Sequence, residues 1–449
     1  MWNLLLTHTP LLYMTQSFWR DEAFSVLASE QSLRFIVERL GFEPPVYYTL
    51  LHYWIRIFGE SDIAARSLSL LGFLLTTVII IRWAAQMYKK HWLSFYMPVF
   101  FFLNPMILYY AFEVRTYAWY MFFATATLYA YTNKRWKWFI VAAVLGFYTH
   151  VYLLLFLGAL FVHWFIFTHP DIRRIKNLFR HDAALRAFTA VGVLMIPWLI
   201  KIGAESSRFR NSWYFPVNLQ LVLSALGNMF TGYEGTPWYG WGYTAYLSLI
   251  LAGFALFALM DRKNRNRTSL FILFGALPLA VIIGISFVKP LFVNRYLIPS
   301  TIAEVLVIVA ALDAIKNRMF QKITAAVLMV FVLWINWWFP PQHPKVPLRN
   351  TMLEVNALSR NTDVIMADNA LIYLETLYYA HNRSQVFLYN PQNAPFPWYI
   401  GEALMTPGRM KADFSVFPPS RTFLVHGDAS FEVIYRTSAG TTSVRKNKL

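Results

Sequence analysis

The sequence predicts a polytopic α-helical membrane protein with about ten or eleven transmembrane helices and a small extracytoplasmic α/β domain at its C-terminus. Apolar residues make up 57% of the 449 residues and charged residues only 14%, and the mean hydropathy is +0.41. Soluble domains have about 45–50% apolar and about 25% charged residues. An ordinary soluble enzyme, a coiled coil and a disordered chain are therefore excluded. After Pro340 the composition changes to short β-like runs, which indicates a second domain.

Apolar runs that are long enough to cross a bilayer, or nearly so, follow one another between residues 66 and 339. The apolar core of a bilayer requires about 20 residues of helix. The region 136–168 has two interpretations, one long tilted helix or two short ones. We predict two, broken near His150. The predicted spans are 66–88, 92–112, 115–132, 136–149, 151–168, 184–202, 238–260, 269–288, 295–314 and 321–339.

The net charge of +17 is explained by topology, because the basic residues form short clusters between apolar runs. Cytoplasmic loops of membrane proteins carry such clusters, so no nucleic-acid partner is predicted. Two helices within 136–168 place every cluster on the same side, whereas one long helix would place a five-residue basic loop outside. The clusters are Lys89 and Lys90; Lys134, Arg135 and Lys137; Arg173, Arg174, Lys176, Arg180 and Arg186; Arg262, Lys263, Arg265 and Arg267; Lys316, Arg318 and Lys322.

Alternation then places residues 17–65, residues 203–237 and everything after Pro340 on the outer face. The 17–65 loop contains apolar residues at helical spacing around 33–40 and 46–54, which predicts amphipathic helices in the membrane interface. This topology requires an inbound helix before residue 17. Because the apolar stretch there is short and has no basic start, we expect either a marginal first span or a natural chain that begins further upstream.

The prolines that follow the last span mark a domain boundary. We predict a transmembrane domain over 1–340 and a soluble α/β domain over 341–449. The sequence contains no cysteine, which excludes disulfides and cysteine metal sites in either part. In the second domain we predict strands at 363–367, 385–389, 422–426 and 432–436, and a helix at 370–380.

Three carboxylates of the first outer loop are candidates for chemistry. Asp21 and Glu22 directly follow the first apolar stretch, and Glu43 precedes a double proline. Taken alone, each is more typical of the start of a helix, where negative charge is favourable, than of a catalytic site. Half-buried at a membrane surface, the same carboxylates are suited to act as a general base.

A second set of candidates lies at the predicted outer ends of the spans. Basic residues at helix ends are ordinary anchors, and Glu113 beside Arg115 is also typical of an interfacial ion pair. An arginine in this position also suits an anionic headgroup. Glu304 is placed in mid-span, where a carboxylate is costly and usually functional or paired. The outer candidates are Glu113, Arg115, His150, Lys289, Arg295 and Tyr296.

Carboxylates and arginines on one membrane face suit one reaction in particular. A carboxylate deprotonates an acceptor hydroxyl while arginines stabilise a departing lipid phosphate. The donor is then a polyprenyl-phosphate sugar whose tail lies in the bilayer, and the acceptor is a glycan, lipid or protein hydroxyl. Without a nucleotide pyrophosphate this chemistry does not require a metal. A divalent ion is compatible with it, but no metal ligands and no certain cofactor are predicted.

Short motifs occur in a fixed order over most of residues 17–340. They are Asp21-Glu22, Pro44-Pro45-Val46-Tyr47-Tyr48, Phe58-Gly59-Glu60-Ser61, Ala65-Arg66-Ser67, Asn104-Pro105, Glu113-x-Arg115-x-Tyr117, Tyr148-Thr149-His150 and Arg295-Tyr296-Leu297-x-Pro299. The ordered set resembles the GT-C glycosyltransferases of the protein O-mannosyltransferase and aminoarabinose-transferase type, as does a soluble extracytoplasmic tail. Each motif alone is weak, and the order gives the resemblance its specificity.

The resemblance implies a multi-pass enzyme of the plasma or inner membrane that transfers a hexose or pentose from a polyprenyl phosphate, with inversion, on the outer side. Asp21 corresponds to the family's first-loop aspartate and is the implied catalytic base, with Glu22 and Glu43 secondary. Arg115 and Arg295 are implied to face the lipid phosphate. The chain departs from the family in its short first helix and in Glu43, which stands where the family often has other polar residues.

Three other functions are weighed against sugar transfer. A transporter or lipid flippase usually has inverted repeats and broken helices in mid-membrane, whereas here the polar residues gather at one interface. A polysaccharide polymerase or ligase uses related chemistry with a pyrophosphate-linked donor, and a donor assay separates it. A membrane scaffold needs no such set of carboxylates and arginines. Glycosyl transfer is the predicted function, with a transporter or flippase as the alternative.

Overall fold

The computed structural model describes residues 2–89, 91–168, 182–205, 217–232 and 241–446. Two compact units divide the chain. The first consists of Met1–Tyr13, Phe42–Tyr47 and Arg66–Gln342, and the second of Met14–Gly41, Tyr48–Ala65 and His343–Leu449. Most of the 17–65 loop therefore groups with the C-terminal residues, while the domain boundary after residue 340 stays a prediction.

Helices dominate the chain up to residue 338, and α3, α4 and most of α5 belong to the second unit. In chain order the helices are α1 (Trp2–His8), α2 (Leu11–Thr15), α3 (Arg20–Glu30), α4 (Leu33–Arg39), α5 (Pro45–Phe58), α6 (Asp62–Tyr88), α7 (Leu93–Phe102), α8 (Pro105–Ala111), α9 (Tyr117–Thr132), α10 (Trp136–Phe147), α11 (Leu153–Thr168), α12 (Ala183–Ala204), α13 (Leu219–Thr231), α14 (Trp241–Met260), α15 (Arg265–Ser286), α16 (Pro299–Ala314) and α17 (Arg318–Trp338).

Five helices among the described residues, α6, α12, α14, α15 and α17, are long and apolar enough to cross a membrane, and the pair α7–α8 brings the number to six if it counts as one span. The chain is a multi-pass membrane protein. The other predicted spans are present as shorter helices, α9, α10, α11 and α16, whereas α13 is a helix that was not predicted, in the segment 203–237 assigned to the outer face. As predicted, two helices with a break at Tyr148–Tyr152 occupy the region 136–168.

The predicted span over 92–112 is wrong in one respect, because the structure bends it by 57° between α7 and α8. Asn104 is the N-cap of α8, and its side chain accepts from the Ile107 N–H at 3.1 Å. Pro105 takes the first helical position, where its missing N–H costs nothing. A new helix therefore begins at Asn104 instead of continuing the old one.

Several basic residues of the predicted cytoplasmic loops lie outside the described residues, as do residues 206–216 and 233–237 of the predicted outer segment 203–237. These basic residues are Lys90, Arg173, Arg174, Lys176 and Arg180.

Helix α16 lies at the centre of the first unit, with Pro299–Leu312 buried. It packs against α15 at close range, since a Cβ on Gly275 would stand 2.8 Å from the Cβ of Ala303. The Ser300 hydroxyl donates to the Gly275 carbonyl at 2.9 Å. This close packing fixes the start of α16, and with it the short 3-10 turn at Asn294–Leu297 that precedes the helix.

The second unit contains a six-stranded sheet in the order β3-β2-β1-β4-β5-β6. The four strands from β3 to β4 are parallel, and β5 and β6 continue antiparallel from β4. The predicted strands and helix are confirmed, while α18, β3 and β6 were not predicted. The elements are α18 (Leu348–Leu358), β1 (Val364–Ala367), α19 (Ala370–Tyr379), β2 (Val386–Tyr389), β3 (Met410–Lys411), β4 (Thr422–Val425), β5 (Phe431–Thr437) and β6 (Gly440–Lys446).

Helix α3, which begins one residue before Asp21, packs against α19 in this unit. Residues 21–29 of α3 are all buried. The loop at Gly401 closes over both helices with a φ of +109°, and a Cβ there would stand 2.6 Å from the Phe24 ring and 3.1 Å from Leu374. Only glycine fits this position, because of both the backbone angle and the space.

Candidate functional site

Two arginines of the first unit lie against the same tyrosine ring. The guanidinium carbon of Arg115 is 5.8 Å from the centroid of Tyr117, and that of Arg295 is 6.0 Å from it. Both side chains are nearly buried, with 6% and 2% of their surface exposed. Arginines at these distances are attracted by the face of the ring, so Tyr117 holds two positive charges in one place.

Local structure explains how both arginines reach this ring. Arg115 lies in the turn between α8 and α9, where its N–H donates to the Glu113 carbonyl at 2.7 Å. Arg295 lies in the 3-10 turn before α16, 5.6 Å from the ring of its neighbour Tyr296. Both arginines thus lie at the ends of helices, where the sequence placed them.

Aromatic rings surround the two guanidinium groups. His150 stacks on Tyr120 with ring centroids 4.6 Å apart and lies 5.1 Å from Tyr296. Tyr152 donates to the Leu291 carbonyl at 2.8 Å. Burial, and then the charges of Arg115 and Arg295, lower the pKa of His150 to about 3. The imidazole is therefore neutral at physiological pH and adds no third positive charge.

Two carboxylates accompany the arginines. A carboxylate oxygen of Glu43 is 3.7 Å from an Arg115 nitrogen, and the buried Glu113 accepts from the Tyr109 hydroxyl at 3.4 Å. We call the resulting group the cation–aromatic cluster; it is formed by Glu43, Glu113, Arg115, Tyr117, Tyr120, His150, Arg295 and Tyr296.

The predicted residue Lys289 lies three residues after the end of α15, in the connection to the 3-10 turn, and is half-buried. A role for it toward a phosphate stays a prediction. The remaining first-unit predictions are brought together in the cation–aromatic cluster. Their motifs lie far apart in the chain, so the ordering of weak motifs was the signal that found them.

Asp21 and Glu22 belong to the second unit, in the first turn of α3. The Arg20 side chain donates to Asp21 at 2.9 Å, and the Lys345 ammonium donates to Glu22 at 2.8 Å. Glu22 also accepts from the N–H of Trp19, the N-cap residue, at 3.4 Å. This second contact is half of a capping box, so the ordinary role of Glu22 as a helix-start carboxylate is present in the structure.

The segment before α3 is fixed by residues that the sequence did not single out. The Tyr379 hydroxyl accepts from the Phe18 N–H at 2.6 Å and donates to Asp62 at 2.8 Å. Arg349 donates to the same carboxylate at 2.9 Å. Burial and then Asp62 raise the pKa of Tyr379, so its hydroxyl keeps the proton that it donates. The Phe18 backbone that leads to Asp21 is therefore held by Tyr379, which is itself fixed by Asp62.

Glu304 lies on α16 and lines a cavity of about 70 Å³ with apolar residues of α13, α14, α15 and α16. Among the described residues, neither of its carboxylate oxygens has a hydrogen-bond partner. No group of three or more His, Asp or Glu side chains among the described residues is arranged to hold a metal ion.

The fold and the two groups of polar residues define a class: a multi-pass helical membrane protein with a small mixed α/β sheet near its C-terminus and buried arginines at helix ends. Solved structures that share this fold include ArnT from Cupriavidus metallidurans in the apo state, with a TM-score of 0.59, and the same protein bound to undecaprenyl phosphate, with a TM-score of 0.58. In both cases the identity is 12%, and the match covers 94% of this chain and 93% of the other.

The chain thus shares the fold of ArnT. No protein-family model matches the sequence, and no curated protein matches it.

Proposed function

We propose that the protein is an inverting glycosyltransferase that moves a sugar from a polyprenyl phosphate to an acceptor hydroxyl at the outer face of the membrane. The observation that carries the proposal is the pair of buried arginines on Tyr117 in a fold shared with a protein that binds undecaprenyl phosphate. Two fixed guanidinium groups suit the two charges of a phosphate monoester.

In the proposed reaction, the acceptor oxygen attacks the anomeric carbon of the sugar from the face opposite the phosphate. The bond between this carbon and the phosphate oxygen breaks, and its electron pair leaves with the lipid phosphate. Arg115 and Arg295 stabilise the anion that forms. Asp21 takes the proton of the acceptor hydroxyl, and Glu22 fixes the turn that presents Asp21.

Other residues have supporting roles in this proposal. Glu43 limits the freedom of Arg115, and the neutral His150 and Tyr296 form an aromatic wall for the sugar or the first isoprene unit. The proposed site and the C-terminal α/β residues face the outside of the plasma or inner membrane. This orientation is supported by the basic clusters at the opposite ends of the spans.

The test is turnover of a defined donor by the purified full chain in lipid nanodiscs. Polyprenyl-phosphate hexoses and pentoses are offered with mixed hydroxyl acceptors, and released polyprenyl phosphate is measured. We expect release with at least one donor and a glycosylated product of inverted configuration. Absence of release across both sugar classes would contradict the proposal.

A lipid flippase is the second candidate, and the bend between α7 and α8 is the observation that favours it, since transporters contain broken helices. Vesicle reconstitution separates the two candidates. A flippase moves the intact lipid-linked sugar between the leaflets of a vesicle without releasing lipid phosphate. The transferase releases lipid phosphate in nanodiscs as well, although a nanodisc has no second compartment.

A further inference from the structure

Residues 16–19 connect α2 to α3 and lead directly into the turn that carries Asp21. They belong to no helix or strand, and residues 16–18 are buried. Buried backbone groups without regular secondary structure need hydrogen-bond partners elsewhere in the fold. For this segment, partners come from residues near the C-terminus.

Lys345 and Arg349 bond to three consecutive residues ahead of α3. The Lys345 N–H donates to the Gln16 amide oxygen at 2.9 Å, and the Arg349 N–H donates to the Ser17 hydroxyl at 3.3 Å. The Arg349 guanidinium also donates to the Thr15 carbonyl at 3.1 Å. The path of the chain into α3 is therefore fixed from outside the segment.

The Tyr379 hydroxyl makes the next contact along the chain, because it accepts from the Phe18 N–H at 2.6 Å. Its own proton is donated to Asp62 at 2.8 Å, and Arg349 donates to the same carboxylate oxygen at 2.9 Å. A hydroxyl has one proton and two lone pairs, so donation to Asp62 directs a lone pair to the amide. The acceptor is thus oriented at Phe18, three residues before Asp21.

Tyr378, the neighbour of Tyr379 on α19, offers a natural comparison. Both rings lie against Phe18, with centroids 5.0 and 6.5 Å from the Phe18 centroid. The Tyr378 hydroxyl donates to the Glu60 carbonyl, whereas the Tyr379 hydroxyl bonds to the Phe18 backbone. Removal of either hydroxyl keeps a ring against Phe18, so the contact to the backbone can be tested by itself.

We propose that Tyr379 is a positioning residue for Asp21. Its hydroxyl holds the Phe18 backbone, and through it the first turn of α3, so that the Asp21 carboxylate points at the acceptor hydroxyl. Asp62 and Arg349 keep the Tyr379 hydroxyl in place. A displacement of about 1 Å in a reacting group can cost 10²-fold in rate. The inference rests on the proposed function, in which Asp21 is the base.

The experiment compares wild type, Tyr379→Phe and Tyr378→Phe as full chains in nanodiscs, with kcat and KM for the lipid donor. Phenylalanine keeps the ring and removes the oxygen, so the Phe18 N–H loses its acceptor in Y379F. The kcat of Y379F should fall by roughly 10- to 100-fold, while the KM stays within about twofold. Y378F is the matched control and should keep both values within about twofold. An unchanged kcat in Y379F would overturn the proposal.

The Asp21→Asn background separates positioning from a general loss of structure. Effects of two residues that act as a unit are not additive. If the Tyr379 hydroxyl acts through Asp21, its removal has little left to affect once the base is gone. The kcat of the double variant D21N/Y379F should therefore match that of D21N within about threefold. A further loss of about tenfold or more would show that Tyr379 does not act through Asp21.

Hydrogen exchange of peptides that cover residues 16–24 gives a readout that needs no donor. Without the acceptor for Phe18, exchange should be about tenfold faster in Y379F than in wild type, and it should be unchanged in Y378F. Faster exchange without donor turnover in wild type would mean that the proposed function fails while Tyr379 still fixes the segment. Unchanged exchange in Y379F would overturn the inference itself.

Arg349→Met is the second variant, in case Y379F fails to fold. It removes the guanidinium contacts that hold the segment and the partner of Tyr379. Its kcat, its kcat in the D21N background and its exchange rates should change in the same directions as for Y379F. Wild-type kcat and exchange in R349M would then contradict the proposal.

Discussion

The cation–aromatic cluster and the first turn of α3 use charged side chains in opposite ways. In the cluster, Arg115 and Arg295 lie against the ring of Tyr117, and a carboxylate oxygen of Glu43 is 3.7 Å from Arg115. In α3, Asp21 and Glu22 each have a basic partner at 2.8–2.9 Å. The arginines are thus held in part by rings, which carry no net charge, whereas each carboxylate of α3 is held by a group of opposite charge. The first arrangement suits the binding of an anion, and the second suits a base with a fixed direction.

Asp21→Asn should have the largest effect, because it removes the proposed base and leaves the arginines proposed to bind phosphate intact. An asparagine side chain occupies the same space but does not take a proton, so kcat for transfer should fall by roughly 10²- to 10⁴-fold. The Kd for polyprenyl phosphate should be unchanged within about twofold, since the phosphate is assigned to the arginines. Both quantities are measured on the purified chain, by product release and by equilibrium binding.

Asp428→Asn is the control for this substitution, because Asp428 lies in the same compact unit and is exposed. It should leave kcat and Kd at wild-type values. Full activity of D21N would remove Asp21 as the base. A loss of lipid binding in D21N would mean that the two regions do not divide the tasks as proposed.

Arg295→Gln tests the other region and should have an intermediate effect. A hydrogen bond to a charged group contributes about 1.5–3 kcal/mol, which corresponds to roughly 10- to 150-fold in affinity. We therefore expect the Kd for polyprenyl phosphate to rise by about this factor. Added inorganic phosphate should compete less well with the lipid in R295Q than in wild type.

Arg267→Gln is a matched control in the same unit. Arg267 also lies against a tyrosine, with its guanidinium carbon 5.7 Å from the Tyr88 centroid, but it faces Asp313 at 3.8 Å. Its loss should not change the Kd. Equal weakening in both variants would show that arginine–tyrosine packing, and not a phosphate ligand, had been removed.

Local sequence patterns predicted the elements that they determine. Strands β1, β2, β4 and β5 were placed within two residues of their ends, because short apolar runs between polar segments are sufficient to indicate them. Strand β6, Gly440–Lys446, is mainly polar and is exposed over residues 440–445, and only pairing with β5 makes it a strand. Strand β3 has two residues and depends on Leu388 pairing with Met410. No local pattern specifies either pairing.

The candidate site shows the same division. Arg115, Arg295 and Asp21 were found because each belongs to a short motif. Lys345 and Tyr379 were not, since Lys345 meets Glu22 across 323 positions of the chain. Tyr379 meets Phe18 across 361 positions and Asp62 across 317. Short sequence motifs do not predict contacts between residues that only folding brings together.

Glu304 is a third kind of carboxyl group, and its substitution gives the smallest expected effect. Unlike Asp21 and Glu22, it has no hydrogen-bond partner among the described residues, and the cavity beside it is lined almost entirely by apolar side chains. Leaving a buried polar group unsatisfied costs about 1–3 kcal/mol. Glu304→Leu should therefore raise the melting temperature by roughly 1–4 °C without changing kcat.

Glu304→Gln separates polarity from charge at this position. Glutamine keeps the unsatisfied polar atoms, so its melting temperature should remain closer to wild type than that of E304L, in detergent and in nanodiscs alike. A lower melting temperature for E304L would mean that the carboxyl group has a favourable partner in the cavity. Glu304 would then be a paired carboxylate, as Asp21 and Glu22 are. The presence of a partner would no longer distinguish carboxylates with a function from those that are only buried.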